Sequence, residues 1–206
     1  MTYLLVAFLV VLVLPLLTAS WRLSLVGLGL QGLLMTAVLA QRGWTGSAGS
    51  AVLLLDLLVL RTWFVPRHLF SIMRRLGGPV RRDVIPANLL SWTMAGALVL
   101  VGFRFAALVH PEGGLVATQV AVAAAGLLLG LLVLGTQAST FGQVVGVLRV
   151  EYAVALFELA ADHEADLPVQ VGATGVLLLS VLTLGSFLGR LGPADPDRPA
   201  AGEGAP

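Results

Sequence analysis

Cysteine and lysine are both absent from this 206-residue sequence, so all twelve basic residues are arginine. Without thiols the chain forms no disulfide and holds no thiolate-bound iron–sulfur cluster or zinc ion. The three histidines, His68, His110 and His163, fall near the ends of apolar runs. None is therefore placed to ligate a haem in the middle of a membrane. No hydrolase triad, phosphate loop or metal-ligand cluster is visible, and we predict no catalytic, cofactor-binding or metal-binding residues.

Charge is scarce throughout the chain. Only 11% of the residues are charged and 58% are hydrophobic, whereas about a quarter of the residues of a soluble domain are charged. A soluble protein of this length would need far more polar surface. The composition predicts an integral membrane protein whose partner is the lipid bilayer, and not nucleic acid.

Long apolar runs account for most of the sequence. A helix needs about 20 apolar residues to cross the hydrocarbon core of a bilayer, and uniformly apolar runs exclude the alternating strands of a membrane barrel. We therefore predict an all-α, polytopic membrane bundle over residues 1–190. Its seven predicted spans are 3–20, 22–41, 50–73, 88–109, 115–136, 141–160 and 168–190.

The two ends of the chain have different predicted roles. The start, MTYLLVAFLV, lacks the positive charge of a signal peptide, which favours a retained first span. The segment 191–206 is rich in Pro, Gly and Ala, and it is predicted to be a disordered cytoplasmic tail.

The distribution of arginines predicts the orientation. Cytoplasmic loops are enriched in basic residues, and the segment 67–83 contains five arginines. Counting spans from that segment places the N-terminus outside and the C-terminus in the cytoplasm. The predicted outer loops, 110–114 and 161–167, contain neither Arg nor Lys.

Several glycines follow short motifs. Gly27, Gly29 and Gly32 spell GxGxxG, but they lie inside an apolar helix and not after a strand, so the motif indicates close helix packing and not a dinucleotide site. The GxxxG pairs, which favour the same kind of packing, are Gly126 with Gly130, Gly142 with Gly146 and Gly185 with Gly189.

Two pairs of ionisable residues match in depth inside the predicted spans. A charge at the centre of a bilayer costs about 2.5–3.5 kcal/mol on insertion scales, so each requires a partner or a route to water. Asp56 and Arg104 lie at similar distances from the outer surface, which predicts either an ion pair or a simple lock between two helices. Arg61 and Glu151 both lie near mid-span, and a carboxylate beside an arginine is suited to a proton relay.

The sixth span carries further charge. Arg149 and Glu151 are about 200° apart around a helix, so they face in nearly opposite directions, and Arg149 is expected to extend toward the cytoplasmic side. Glu158 shares the face of Glu151 and lies two residues from the predicted outer boundary. It is either part of a proton path or an ordinary interfacial residue.

The order of these features resembles the hydrogenase-4 component E family. Residues 143–156, QVVGVLRVEYAVAL, are similar to its Gln-x-x-Gly-Leu-x-x-x-Glu-Asn segment, with Gln143, Gly146 and Glu151 at matching positions. The stretch PVQVG at 168–172 resembles the family's Pro-x-x-Glu-Leu-Gly stretch, one position short. The stretch RTWFVPRHLFSIMRR at 61–75 resembles its Lys-x-x-x-x-Pro run and basic loop, with Arg61 at the lysine position.

This resemblance covers about residues 15–190, and 115–190 is similar to the K subunit of respiratory complex I. It implies a seven-span, non-redox subunit of a complex-I-like, energy-converting hydrogenase or related oxidoreductase. Such a subunit lies in a bacterial or archaeal plasma membrane beside antiporter-like subunits. It has no catalytic centre of its own and contributes a mid-membrane carboxylate, here Glu151, to proton translocation.

Two positions depart from the family pattern. Tyr152 replaces the Asn that follows the mid-membrane Glu, and Gln170 replaces the second carboxylate. An amide does not take up and release a proton at neutral pH. The path is then rerouted, for example through Glu158, or the chain is a structural scaffold. A stand-alone small transporter is a third reading, disfavoured by the odd number of spans and the absence of a clear inverted repeat.

Overall fold

The computed structural model describes residues 2–17, 20–42, 47–77, 89–161 and 167–190, with the side chains of the first helix described to residue 13. Within these ranges the chain is helical and contains no strand, which confirms the all-α prediction. Counting the three consecutive segments from Ala48 to Arg75 as one helix, the helices are α1 (Thr2–Leu17), α2 (Trp21–Arg42), α3 (Ala48–Arg75), α4 (Leu89–Val109), α5 (Gly114–Thr136), α6 (Thr140–Ala160) and α7 (Leu167–Arg190).

Five of these helices, α2, α3, α4, α5 and α7, are long and apolar enough to cross a membrane. Their length and composition indicate a multi-pass membrane protein. Helix α1 has only 16 residues, and α6 contains three charged residues, Arg149, Glu151 and Glu158. The predicted tail, most of the loop at 161–167, His163, Arg81 and Arg82 lie outside the described residues.

Helix α3 changes its hydrogen-bond register part-way along. Ser47 caps its start, accepting a hydrogen bond from Ser50 N, and residues Asp56–Phe64 then form a π-helix. The N–H of Val65 bonds to the carbonyl of Leu60, five residues earlier. Pro66 gives a physical reason, because in an α-helix its ring would clash with the carbonyl four residues before it and its missing N–H would leave that carbonyl unbonded. The wider turn lies directly before this proline.

Glycine and alanine allow the central helices to approach closely. A Cβ atom at Gly102 would lie 2.6 Å from the backbone N of Ala125, and one at Gly146 would lie 2.8 Å from the backbone of Leu134. These positions join α4 to α5 and α5 to α6, and any side chain there would force the helices apart. The sequence-based interpretation of Gly146 as a packing residue is confirmed. Gly189, in contrast, has no neighbouring atom within 4 Å of the same position.

The GxGxxG segment of α2 packs against the π-helical part of α3. A Cβ atom at Gly32 would lie 2.8 Å from both the backbone N and Oγ1 of Thr62, and one at Gly29 would lie 3.0 Å from the carbonyl O of Thr62. The glycines therefore serve helix packing, as predicted.

Helix α7 runs parallel to α3 and packs along it. A Cβ atom at Gly185 would overlap the ring of His68, which itself stacks on Phe64 with ring centroids 5.7 Å apart. Most of the α4 and α7 side chains point away from the bundle. The exposed apolar residues on these two helices include Leu100, Phe103, Leu108, Val176, Leu179 and Phe187.

Candidate functional site

A buried ion pair lies inside the bundle, within the π-helical segment of α3. Nε of Arg61 is 2.7 Å from Oδ2 of Asp56, and the two residues are only 3% and 4% exposed. We use the term polar centre for Asp56 and Arg61 together with Glu151 and Tyr152 of α6, which Arg61 contacts. Since burying a charge costs free energy, each contact of this pair contributes to the stability of the fold.

The π register is what brings the two charges together. Residues five apart in an α-helix point about 140° away from one another. In a π-helix, whose hydrogen bonds join residues five apart, such residues lie nearly in line. Thr62 shows the same geometry, because its Oγ1 donates a hydrogen bond to the carbonyl of Leu57, 2.8 Å away and five residues back.

Arg61 also joins α3 to α6. Its Nη1 donates a hydrogen bond to the backbone carbonyl of Glu151 at 3.1 Å, and its guanidinium lies 5.2 Å from the ring centroid of Tyr152. Arg61 and Glu151, which the sequence predicts to match in depth, are therefore in contact. The bond, however, goes to the backbone of Glu151 and not to its carboxylate, and the ion pair of Arg61 is with Asp56.

Tyr152 supplies a hydrogen bond that the helix itself does not. Its hydroxyl donates to the carbonyl of Arg61 at 2.5 Å. In an α register that carbonyl would accept from the N–H of Val65, which bonds to Leu60 instead. In the π register its donor would be residue 66, and Pro66 has no N–H. Tyr152, which is fully buried, thus satisfies a carbonyl that Pro66 leaves open.

A second buried arginine lies on the same side of α6. Arg149 is 1% exposed, its Nη1 donates to the carbonyl of Leu12 at 3.0 Å and its Nη2 donates to Oγ of Ser24 at 3.2 Å. Arg149 reaches toward the first turns of α2, beside the start of α6, but its guanidinium stays buried and does not reach the surface that the sequence-based prediction expected. Helices α1 and α2 provide acceptors inside the bundle, and the guanidinium is held there.

Asp56 and Arg104 do not form the predicted pair. Arg104 is exposed on α4, and Asp56 bonds to Arg61. The reason is topological, since α4 packs mainly against α5 and not against α3, its predecessor in the chain. Adjacent position in sequence and equal depth did not produce a contact.

The other residues predicted for a proton path, Glu151, Glu158 and Gln170, have no side-chain hydrogen bond to any described residue. Glu151 is half-buried, and its carboxylate makes no hydrogen bond or ion pair with any described residue. Glu158 is exposed, although it lies close enough to Arg61, Asp56 and Glu151 to interact with their charges. Gln170 is buried on α7 and makes no hydrogen bond within the part of the chain that the structure describes.

The sequence contained a signal for the Asp56–Arg61 pair that helical periodicity conceals. An acid lies five residues before Arg61 and a proline five residues after it. This spacing fits a π turn and not an α-helix. Among the described residues no three His, Cys, Asp or Glu side chains are grouped so that they would hold a metal ion.

Comparisons with known proteins find no matching family model, no matching curated protein and no matching solved structure. The resemblance to the hydrogenase-4 component E family therefore stays a prediction from the quoted motifs.

Proposed function

We propose that this chain is a non-redox integral membrane subunit of a complex-I-like, hydrogenase-4-type oxidoreductase and takes part in proton translocation. It would cross a bacterial or archaeal plasma membrane seven times, with the N-terminus outside. Catalysis would take place in other subunits. The observation that carries the proposal is the buried Asp56–Arg61 pair, bonded to α6 at Glu151. Ionisable residues inside a membrane bundle are typical of proton relays.

The positions of the charges support the proposed orientation. Arg67, Arg74 and Arg75 lie in the last part of α3, and Arg190 ends α7. Since α3 and α7 run parallel, these four arginines lie at one end of the bundle. Glu112 precedes α5 at the opposite end. Arg42 lies at this opposite end, where it bonds to Gln119 near the start of α5. The arginines are still in excess at the end that holds the last turn of α7, as expected of a cytoplasmic end.

The outward side of α6 supports a partner subunit. Glu151, half-buried, and Glu158, exposed, lie seven residues apart and so share a side of the helix. Carboxylates facing hydrocarbon are costly. A neighbouring subunit, such as an antiporter-like one, would cover them and continue a proton path.

The test begins with an affinity-tagged chain isolated from native membranes. Co-purification of antiporter-like subunits is expected, and isolation of the chain alone would overturn the assembly. In the isolated complex, Glu151→Gln should reduce coupled proton movement while leaving the subunit content unchanged. Glu112→Gln, in an exposed turn, is the matched control and should have no effect. Unchanged coupling in the Glu151→Gln complex would rule out the relay role of Glu151.

A scaffold role is the second candidate, and the contacts of Arg61 favour it. Its guanidinium is bonded to Asp56, to a backbone carbonyl and to an aromatic ring, an arrangement that also fixes two helices together. For a scaffold, Glu151→Gln would lower assembly or change nothing, and it would not alter coupling separately from assembly. Measuring subunit content and coupling on the same preparation distinguishes the two functions.

A further inference from the structure

The polar centre contains one fully buried carboxylate oxygen that its own contacts leave unused. Oδ2 of Asp56 receives the hydrogen bond from Arg61, whereas Oδ1, which is buried, has no hydrogen-bond partner among the described residues. A buried ionised carboxylate is stabilised only when its oxygens are satisfied. A single bond from one arginine leaves Oδ1 as a site for a donor.

We propose that Asp56 is the carboxylate at which this protein binds a proton, on Oδ1, and that Arg61 and Tyr152 are positioning residues for it. The proposal deepens the proposed function, because it names the proton-binding group. It adds Asp56 to Glu151, the carboxylate that the sequence-based prediction placed in the proton path. Helices α3 and α6 contain three carboxylates, those of Asp56, Glu151 and Glu158. Asp56 alone is both buried and bonded to an arginine.

The chemistry is a simple proton transfer. A hydronium ion or a donor group of a partner gives its proton to Oδ1, and an O–H bond forms there. The carboxylate becomes neutral, and Arg61 keeps its own proton and charge. The bond from Nε of Arg61 to Oδ2 is then no longer between two charged groups, so it weakens. Arg61 also interacts with the charge of Glu158. When Asp56 is neutral, Glu158 still provides a negative charge near the guanidinium.

The fold explains why the centre is buried and how its two charges are aligned. Asp56 lies eight residues into α3, or about 12 Å from the start of that helix. The π register places it beside Arg61, and Tyr152 stabilises that register at the carbonyl of Arg61. Loss of the register would turn Asp56 and Arg61 away from one another. Geometry, and not sequence neighbourhood, therefore selects Asp56.

Several other charged or titratable side chains lie on the same helix and on the helices packed against it. They are His68, Arg67, Arg74 and Arg75 on α3, Arg22 and Arg42 on α2, Arg149, Glu151, Tyr152 and Glu158 on α6, and Arg190 on α7. Only the two glutamates on this list have a carboxyl group. A spectroscopic test must therefore separate one aspartate from two glutamates.

Infrared difference spectroscopy makes that separation. The full-length chain in lipid nanodiscs is titrated from neutral to acidic pH, and the carbonyl band of a protonated carboxylic acid is recorded. Incorporation of aspartate carrying ¹³C in its side-chain carboxyl should shift the band if it comes from Asp56. A band from Glu151 or Glu158 would not shift, because these residues are unlabelled. Asp56→Asn should remove the component of this band that Asp56 contributes, which the difference between the wild-type and Asp56→Asn spectra isolates, and Glu151→Gln should leave that component in place. The other aspartates, at 83, 162, 166, 195 and 197, lie between or after the predicted spans and remain in the Asp56→Asn spectrum.

Three results would overturn the proposal: the band missing from Asp56→Asn does not shift with the aspartate label, it is also missing from Glu151→Gln, or no band is missing from Asp56→Asn. The last would show that Asp56 stays ionised as a purely structural partner of Arg61. If Asp56→Asn does not fold, the labelled wild type and the labelled Asp56→Glu variant still test the proposal. The band that shifts with the aspartate label in the wild type should no longer shift in Asp56→Glu, because its carboxyl group then belongs to an unlabelled glutamate. Because the isolated chain is measured, failure here is distinguishable from failure to find a partner complex.

Discussion

The two sides of α6 are packed on different principles. Toward α5 the contact is apolar and depends on small residues, with Gly130 against Val150 and Gly146 against Leu134. Toward α1, α2 and α3 the contact is polar. Arg149 donates to the carbonyl of Leu12 and to the hydroxyl of Ser24, and Tyr152 donates to the carbonyl of Arg61. Both interfaces are buried inside the same bundle.

The difference shows two ways of joining helices in a membrane, where burying apolar side chains against protein stabilises the contact little more than lipid does. In a membrane, lipid tails solvate apolar side chains as well as the protein does, so close approach and hydrogen bonds hold helices together. The α5 side uses close approach, which tolerates no added atom. The α3 side uses hydrogen bonds, which tolerate changes of shape but not the loss of one partner.

The largest effect is expected from breaking the ion pair on the polar side. Arg61→Ala leaves Asp56 buried without its counter-charge and should destabilise the protein by about 3–5 kcal/mol. Reversible unfolding in mixed micelles measures this. The double variant Asp56→Ala/Arg61→Ala should be less destabilised than Arg61→Ala, because no unpaired charge remains. Arg104→Ala, at an exposed arginine, is the control and should change stability by less than about 0.5 kcal/mol. Strict additivity in the double variant would contradict the pairing.

On the small-residue side, an added methyl group should be costly only where helices touch. Gly102→Ala should destabilise by about 1–3 kcal/mol, since the new Cβ would meet the backbone of Ala125. Gly96→Ala, on the same helix with no atom within 4 Å of the new Cβ, should be neutral or stabilising by about 0.5–1 kcal/mol. Equal effects at the two positions would show that α4 and α5 are not packed as described. Unfolding curves of both variants in one detergent suffice.

A similar effect is expected from Tyr152→Phe, which removes only a hydroxyl. The carbonyl of Arg61 would be left without its donor, at a cost of about 1–3 kcal/mol. In the Pro66→Ala background this cost should be smaller, because residue 66 regains an N–H in the π register and Val65 supplies one in the α register. A double-mutant cycle with these two substitutions measures the coupling. Zero coupling would mean that Tyr152 does not compensate for Pro66.

The smallest effect is predicted for Glu158→Gln. The side chain is exposed and bonds to no described residue, so the isolated chain should change in stability by less than about 0.5 kcal/mol. Thermal unfolding in nanodiscs checks this. A loss of stability above about 1 kcal/mol would show that Glu158 makes a structural bond at the end of α6. Helix α6 would then have a third, acidic contact surface in addition to its apolar and polar sides.

The sequence predicted the helices well and their polar contacts less well. Each predicted span coincides with a helix, since long apolar runs have few other solutions in a membrane. The Arg61–Glu151 depth match was also predicted. The Asp56–Arg61 bond was not, because regular α-helical geometry places residues five apart on different sides. The buried position of Arg149 was not predicted either, since nothing local indicates that Leu12 and Ser24, over a hundred residues earlier, supply its acceptors.

The sequence by itself determined the all-helical class, the membrane setting and the set of ionisable residues that the bundle must accommodate. Composition and run length suffice for these, because the cost of polar groups in hydrocarbon depends on residue type and not on neighbours. Tertiary structure alone decided which charges meet. The widened turn before Pro66 aligns Asp56 with Arg61, and the approach of α6 brings the Tyr152 hydroxyl to the open carbonyl. Hydrogen-bond register and helix packing act over distances that local sequence patterns do not encode.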